Sequence, residues 1–223
     1  MWQALYDELK DEDFTVVAIA LESRGNDSAR QWIELAKATY PCLIDTGHVV
    51  AAKYNMVNVP QAVWIDEQGH IVRPTETAGT TEGFRKMDTT TYQMPADEIA
   101  KGQQARATYL DAIRDWVRNG EQSPFVVPAA NLEARTPVYS EAQAQANAML
   151  RLGQWLISHQ HADSGFGLLK RASELHPDSW SIWRQTADLE QIGKSGGPEF
   201  WARVHALGEK RYYATVDIPG MPQ

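Results

Sequence analysis

The first third of the chain alternates between the apolar spacing of helices and that of buried strands. Apolar residues recur at helical intervals from Trp2 to Leu9 and predict a helix over residues 2–10. Residues 14–21 are almost continuously apolar and rich in β-branched side chains. Such a run predicts a strand that is buried on both faces, as in a parallel sheet.

The next elements continue this alternation. The polar loop after the strand offers Asn26, Asp27 or Ser28 as the cap of a second helix. We expect that helix to direct its apolar side chains toward a core: Trp32, Ile33, Leu35 and Ala36. Residues 41–45 then predict a short strand, and residues 48–55 predict a short helix.

A β-hairpin follows, with a proline at the entrance of its first strand. Residues 62–65 are a short apolar run, residues 66–69 are a glycine-containing turn, and residues 71–72 are a second apolar pair. Pro60 comes directly before the first strand. Because proline cannot donate a hydrogen bond to a sheet, we expect Pro60 at the mouth of that strand.

This order of elements predicts an α/β sheet with right-handed crossovers. With Val59-Pro60 ahead of the apolar run, it resembles the TlpA/ResA-like branch of the thioredoxin fold, which borders the AhpC/TSA-type peroxiredoxins. The resemblance covers roughly residues 1–75, with a final helix near residues 105–119. It implies that Pro60 is a cis-proline and that the loop Val59-Pro60-Gln61 offers backbone groups to a bound peptide or thiol.

The chain departs from the family pattern at its start. The family has a central strand and a Trp-Cys-x-x-Cys motif ahead of the helix that begins here at Trp2. Three explanations stay open. The protein starts earlier and Met1 is internal; the two strands that flank the absent one, residues 14–21 and 62–65, pair directly; or a partner chain supplies the strand, as in strand addition or a homodimer.

The single cysteine, Cys42, limits the chemistry. One thiol cannot resolve a mixed disulfide, so these residues alone do not run a dithiol–disulfide cycle. The resemblance therefore implies a thiol–disulfide oxidoreductase-like protein, with protein or peptide thiols and disulfides as partners, that is redox-inactive as written. The alternative is a non-catalytic module that binds a peptide or protein. A peroxiredoxin-like peroxidase would also need an upstream cysteine, with Cys42 at most its resolving thiol.

The second half changes to an all-helical pattern. Leu152-Gly153, Ala172 and Pro177 fall at the spacing of a tetratricopeptide unit, whose period is about 34 residues. We expect the small residues Gly153 and Ala172 to permit close approach of two helices. A degenerate second unit starts at Trp180, and tryptophans in this region are expected in the helix–helix core: Trp180, Trp183 and Trp201.

These patterns predict an α/β thioredoxin-like domain that lacks its first strand, followed by an all-α tetratricopeptide-like domain. The thioredoxin-like domain is expected to span residues 1–122 and to include an irregular connector, which is a candidate lid, and a final helix. A proline-containing linker (123–140), the helical domain (141–215) and an irregular tail (216–223) follow.

Composition excludes several classes of function. The net charge of −8 leaves no basic face for nucleic acid. No apolar run approaches the ~20 residues of a membrane span. Because the N-terminus lacks the regions of a signal peptide, we expect a cytoplasmic protein as written, or an extracytoplasmic one if an upstream signal peptide exists.

The residue pattern predicts no catalytic residue, metal site or cofactor. The six histidines lack metal-ligand spacing; His159 and His161, for example, face different directions on a helix. Cys42 has no cationic neighbour in sequence, so we interpret it as a small buried hydrophobe, with a lone reactive thiol as the alternative. Asp45 and Asp66 each end a predicted strand, where aspartate commonly forms a turn.

Overall fold

A computed structural model describes residues 1–136, 138–187 and 197–222. Its helices are α1 Trp2–Leu9, α2 Asn26–Ala36, α3 Val49–Lys53, α4 Ala96–Asn119, α5 Ala129–Arg135, α6 Glu141–Ser158, α7 Ala162–Leu175, α8 Trp180–Ala187 and α9 Pro198–Ala206. Its strands are β1 Ala18–Ala20, β2 Cys42–Ile44, β3 Gln61–Ile65 and β4 Ile71–Thr77.

The chain forms two compact units, each assembled from segments that are distant in sequence. The first contains Met1–Tyr6, Thr15–Val59 and Pro137–Arg203. The second contains Asp7–Phe14, Pro60–Thr136 and Val204–Gln223. The first unit therefore combines the β1–β2 region with the helices of the second half of the chain.

In the first unit, β1 and β2 form a parallel pair in which Ile19 lies opposite Leu43. The prediction that residues 14–21 form a strand buried on both faces is wrong. The strand is short, and Val17, Ile19 and Leu43 are 49%, 38% and 52% exposed. Among the described residues β1 has a strand neighbour on one side only, so its other edge is unpaired there, and the exposed Ile19 and Leu43 leave one sheet face partly open.

Helix α2 is present, but its predicted orientation is wrong. Trp32 and Leu35 are exposed, and the side chain that α2 buries is Ala29, with Ile33 half-buried four residues later. Residues four apart share one face of a helix, so this narrow face is the one that packs. The predicted side-chain cap is also wrong, because the N-cap residue is Gly25, which has no side chain that could accept a hydrogen bond.

In the second unit, β3 and β4 form the predicted antiparallel hairpin, with Gln61 opposite Thr77. The Gly69 N–H donates to the Asp66 carbonyl at 3.0 Å, and the Asp66 carboxylate accepts from the His70 N–H at 2.7 Å. The expectation that Asp66 forms a turn is therefore confirmed. The strands predicted at residues 14–21 and 62–65 do not pair directly, because β1 and β3 belong to two different sheets.

An aromatic and charged cluster fixes this hairpin to α4. The Trp64 indole is stacked on Trp116, with ring centroids 5.1 Å apart, and its Nε1–H donates to the Tyr109 hydroxyl at 3.0 Å. The Arg73 guanidinium lies 5.5 Å from the Trp64 ring and bonds Glu76 at 2.5 Å. Both members of this ion pair are buried, and the guanidinium also donates to two backbone carbonyls at 2.7 Å.

Two regions of the second unit contain more helix than the sequence indicates. Helix α4 begins at Ala96, where the sequence predicted an irregular connector. The acidic side chains of Asp97 and Glu98 in its first turn stabilise a helix N-terminus. Helix α5, Ala129–Arg135, lies within the proline-containing linker. Pro128 at its N-cap position is compatible with a helix start, since proline lacks the N–H that would go unpaired there.

In the first unit, α6 and α7 form a helical hairpin with two glycines at its closest point. A Cβ atom built on Gly153 would lie 2.9 Å from the Gly165 carbonyl oxygen, and one on Gly165 would lie 2.6 Å from Ile157. The close approach expected at Gly153 is thus present, and Gly165 is its partner. The surrounding core consists of Ala146, Leu150, Leu169, Ala172 and Ile182. Trp180 is also buried, as expected for a core residue.

Gly165→Ala should destabilise the protein by about 1–3 kcal/mol, because the new methyl group overpacks the contact between α6 and α7. The matched control is Gly167→Ala in the same helix, where a Cβ meets no atom within 4 Å. The control should be neutral or gain up to about 1 kcal/mol from helix propensity. Urea unfolding measures both free energies, and equal effects of the two variants would contradict this packing.

Tyr109→Phe should lower the free energy of unfolding by about 1–3 kcal/mol, because it leaves the buried Trp64 N–H without its partner. Tyr92→Phe is the control, since Tyr92 is 67% exposed. Urea unfolding followed by circular dichroism gives both values. An unchanged stability of Tyr109→Phe would show that the Trp64–Tyr109 hydrogen bond does not contribute.

Candidate functional site

The predicted binding residues form one continuous and largely accessible stretch of chain. Val59 is 44% exposed, Pro60 is exposed, and Gln61 is half-buried at the first position of β3. The Pro60 carbonyl accepts a hydrogen bond from the Ala78 N–H at 3.2 Å. Pro60 therefore lies at the mouth of the strand, as the sequence predicts; the cis configuration of its peptide bond stays a prediction.

The residues just ahead of Val59 are held by helix α8 of the first unit. The Val57 carbonyl accepts from the Ser181 N–H at 3.0 Å. Asn58 is 3% exposed, and its Oδ1 accepts from the Val59 N–H at 2.9 Å and from Arg184 Nη1 at 3.3 Å. Backbone and side-chain groups of this segment are thus fixed by the helical part of the chain.

Two further hydrogen bonds join the second half of the chain to α3 and to the loop after β1. The Tyr139 hydroxyl donates to the Ala52 carbonyl in the last part of α3. Gln154 Nε2 on α6 donates to the Ser23 hydroxyl at 3.1 Å, in the loop after β1. These contacts make the helices a support for the loops around α3.

Cys42 lies at the first position of β2 and is half-buried. Its thiol makes a long hydrogen bond of 3.6 Å to the Tyr40 carbonyl. This environment is intermediate between that of the predicted buried hydrophobe and that of an exposed reactive thiol. The assignment of Cys42 as a thiol of functional significance stays a prediction.

Asp45 and His48 organise the start of α3. The Asp45 carboxylate accepts hydrogen bonds from the backbone N–H groups of Val49, Val50 and Ala51 at 2.8, 2.8 and 3.1 Å. It therefore satisfies three donors that lack partners within the helix. His48 is the N-cap residue and adopts a left-handed conformation with φ of +53°, which is unusual for a residue with a side chain of this size.

The His48 imidazole is buried and neutral at ordinary pH. It is 3% exposed, and its Nε2 lies 2.9 Å from the Ser23 hydroxyl. Burial lowers the pKa of His48 from 6.5 to about 4, although the nearby charges of Asp45 and Glu22 partly oppose the shift. His176, which is 4% exposed, has its pKa lowered in the same way, with Asp178 opposing.

Both histidines line one partly enclosed cavity within the first unit. Its other polar lining residues are Tyr139, Asn147, Ser179 and Ser181. Sequence reasoning missed this convergence, because His48 and His176 lie far apart in the chain and neither belongs to a motif. No spacing signal could have indicated it.

In the part of the chain that the structure describes, no group of three or more His, Cys, Asp or Glu residues is placed to hold a metal ion. None of the helices found there has the length and apolarity needed to cross a bilayer.

Comparison with protein families gives one match, over the part of the chain that contains α1 to β3. Residues 1–73 match the AhpC/TSA family. The match covers 73 of 223 residues, about a third of the chain, and supports a thioredoxin-like, peroxiredoxin-type family for this region. The TlpA/ResA branch and the tetratricopeptide-like character of the helices stay predictions. No curated protein and no solved structure gives a significant match.

The stability of the protein should fall as the pH drops from 7.5 to 5. Unfolded His48 takes up a proton as the pH passes through 6.5, whereas folded His48 stays neutral down to about pH 4. Its stabilising contribution is therefore complete above pH 6.5 and is lost between pH 6.5 and 4. Urea unfolding should show a loss of about 2 kcal/mol from His48 between pH 7.5 and 5, and His176 adds in the same direction.

His48→Asn should flatten this pH dependence, and asparagine suits the left-handed conformation at this position. His161→Gln, at an exposed histidine, is the control and should retain the wild-type slope. A slope that is the same in wild type and His48→Asn would show that His48 is not buried in its neutral form.

Proposed function

We propose that this chain is a thioredoxin-like binding protein that engages protein or peptide thiols and disulfides at the loop Val59-Pro60-Gln61, without a dithiol cycle of its own. The observation that carries the proposal is the combination of a single cysteine with a supported, accessible loop. Val59 and Pro60 are exposed, while Asn58 next to them is buried and hydrogen-bonded. An exposed backbone segment fixed at one end is suited to pairing with an extended peptide.

The helical part supports this function through its contacts with the preceding residues. Ser181 and Arg184 bond Val57 and Asn58, so the conformation ahead of Val59 is established before any ligand binds. A preorganised loop loses less conformational entropy on binding than a flexible one. The helices then act as the scaffold of the binding loop.

The second candidate function is a thiol–disulfide oxidoreductase, which the match to a thioredoxin-like redox family favours. In that reaction the Cys42 thiolate attacks a substrate disulfide, forms a mixed disulfide and releases one substrate thiolate. A second thiol must then attack the mixed disulfide, restore Cys42 and leave as part of a new disulfide. Within these 223 residues no second cysteine exists, so that thiol must belong to another molecule or chain segment.

The two candidates give opposite results in an insulin assay. The purified chain with dithiothreitol as electron source should not accelerate the reduction of insulin above the level of a Cys42→Ser variant, because the dithiol cycle lacks its second thiol. Precipitation of the insulin B chain measures the rate. Turnover well above the Cys42→Ser level would favour the oxidoreductase and contradict the proposal.

Binding of the chain to a disulfide-containing protein is tested with insulin as the probe. Biolayer interferometry with immobilised insulin should detect reversible binding of wild type and of Cys42→Ser, and about tenfold weaker binding of Val59→Asp, which is ~1.4 kcal/mol. Gln68→Asp is the charge-matched control, because Gln68 is exposed in the turn of the β3–β4 hairpin. Equal binding of the two aspartate variants would exclude the Val59-Pro60-Gln61 loop as the contact surface.

A further inference from the structure

The cavity lined by His48 and His176 contains buried polar groups that the described protein atoms do not satisfy. All of its lining residues belong to the first unit; they lie on α3, α6 and α8 and in the segments next to α3, before α6 and between α7 and α8. The cavity has room for about one water molecule. Two of its lining atoms, His176 Nδ1 and Ser181 Oγ, are buried and have no hydrogen-bond partner among the described residues.

The hydrogen bonds of Gln143 determine which nitrogen of His176 carries the proton. Gln143 and Ser140 form a capping box at the start of α6, in which Gln143 Oε1 accepts from the Ser140 N–H at 2.9 Å. The amide orientation is therefore fixed, and Gln143 Nε2 faces His176 Nε2 at 3.3 Å as a donor. His176 Nε2 must accept, so in the neutral ring the proton lies on Nδ1.

His176 Nδ1–H is consequently a buried donor without an acceptor. The ring is 4% exposed, and burial lowers its pKa, which keeps the ring neutral and the tautomer defined. An unsatisfied buried donor of this kind costs about 1–3 kcal/mol. A native fold rarely retains such a group without a bound partner.

Ser181 provides the second group. Its side chain is 4% exposed and its Oγ has no partner among the described residues, while its backbone N–H donates to the Val57 carbonyl. The hydroxyl can donate or accept, so it complements a ligand that accepts from His176. Two such groups on the wall of one small polar cavity meet the conditions for an internal ligand.

We infer that this cavity binds one water-sized hydrogen-bond acceptor, held by His176 Nδ1–H and Ser181 Oγ. Water has this chemistry, and so does a monatomic halide. The bound group completes the hydrogen bonding at the junction where α8 contacts Val57. The inference is independent of the thiol-related function, since neither Cys42 nor Pro60 lines the cavity.

A crystal structure of the full chain at high resolution tests the site directly. We expect a density peak within hydrogen-bond distance, about 3 Å, of both His176 Nδ1 and Ser181 Oγ. A second crystal grown in sodium bromide distinguishes the two ligands: anomalous scattering at the peak identifies a halide, and its absence identifies water. A cavity without density between these two atoms would overturn the inference.

Ser181→Ala gives an independent readout in solution. If the ligand is bound, loss of the hydroxyl should lower the urea midpoint and raise the unfolding equilibrium constant on the order of fivefold. If the hydroxyl is unsatisfied, its removal should raise the midpoint instead, which would overturn the inference. Ser164→Ala, at an exposed serine of α7, is the control for a general effect of alanine.

Discussion

The hydrogen bond from the Ser181 N–H to the Val57 carbonyl joins the helices of the second half of the chain to the segment ahead of Val59. The neighbouring contact between Arg184 and Asn58 reinforces it. A helix N-terminus is suited to this contact, because its first N–H groups lack partners within the helix. The carbonyl of a partly buried loop needs such a donor in turn. One short helix thereby satisfies both requirements and fixes the residues that lead to Val59.

The position of α8 depends on the packing of the two helices before it. Gly153 and Gly165 allow α6 and α7 to approach closely, and the cluster around Leu169 then includes Ile182 of α8. The same arrangement brings His176, directly after α7, to the wall of the cavity that α3 also lines. Burial of polar groups at this junction is therefore a consequence of how the helices meet the loops, and it accounts for the lowered pKa of both His48 and His176.

Local signals predicted the elements well where turn chemistry and periodicity agreed. The hairpin at Pro60 could be predicted because Gly69 and Asp66 define its turn, and Gly153 could be predicted as a close helix contact. The environment of β1 and α2 could not, since exposure of Ile19 and Trp32 depends on which strands and helices are present as neighbours. The histidine-lined cavity is likewise a product of tertiary structure, because its residues come from segments with no common motif.

The helical segment and the loops around α3 are expected to form one cooperative unit. Hydrogen–deuterium exchange of the full chain, followed by mass spectrometry under native conditions, measures this most directly. Peptides from residues 42–59 and from residues 141–187 should exchange with the same free energy of opening and respond equally to low urea concentrations. If the helical peptides kept their protection while the loop peptides exchanged freely, the helices would not hold the loop and the account would be contradicted.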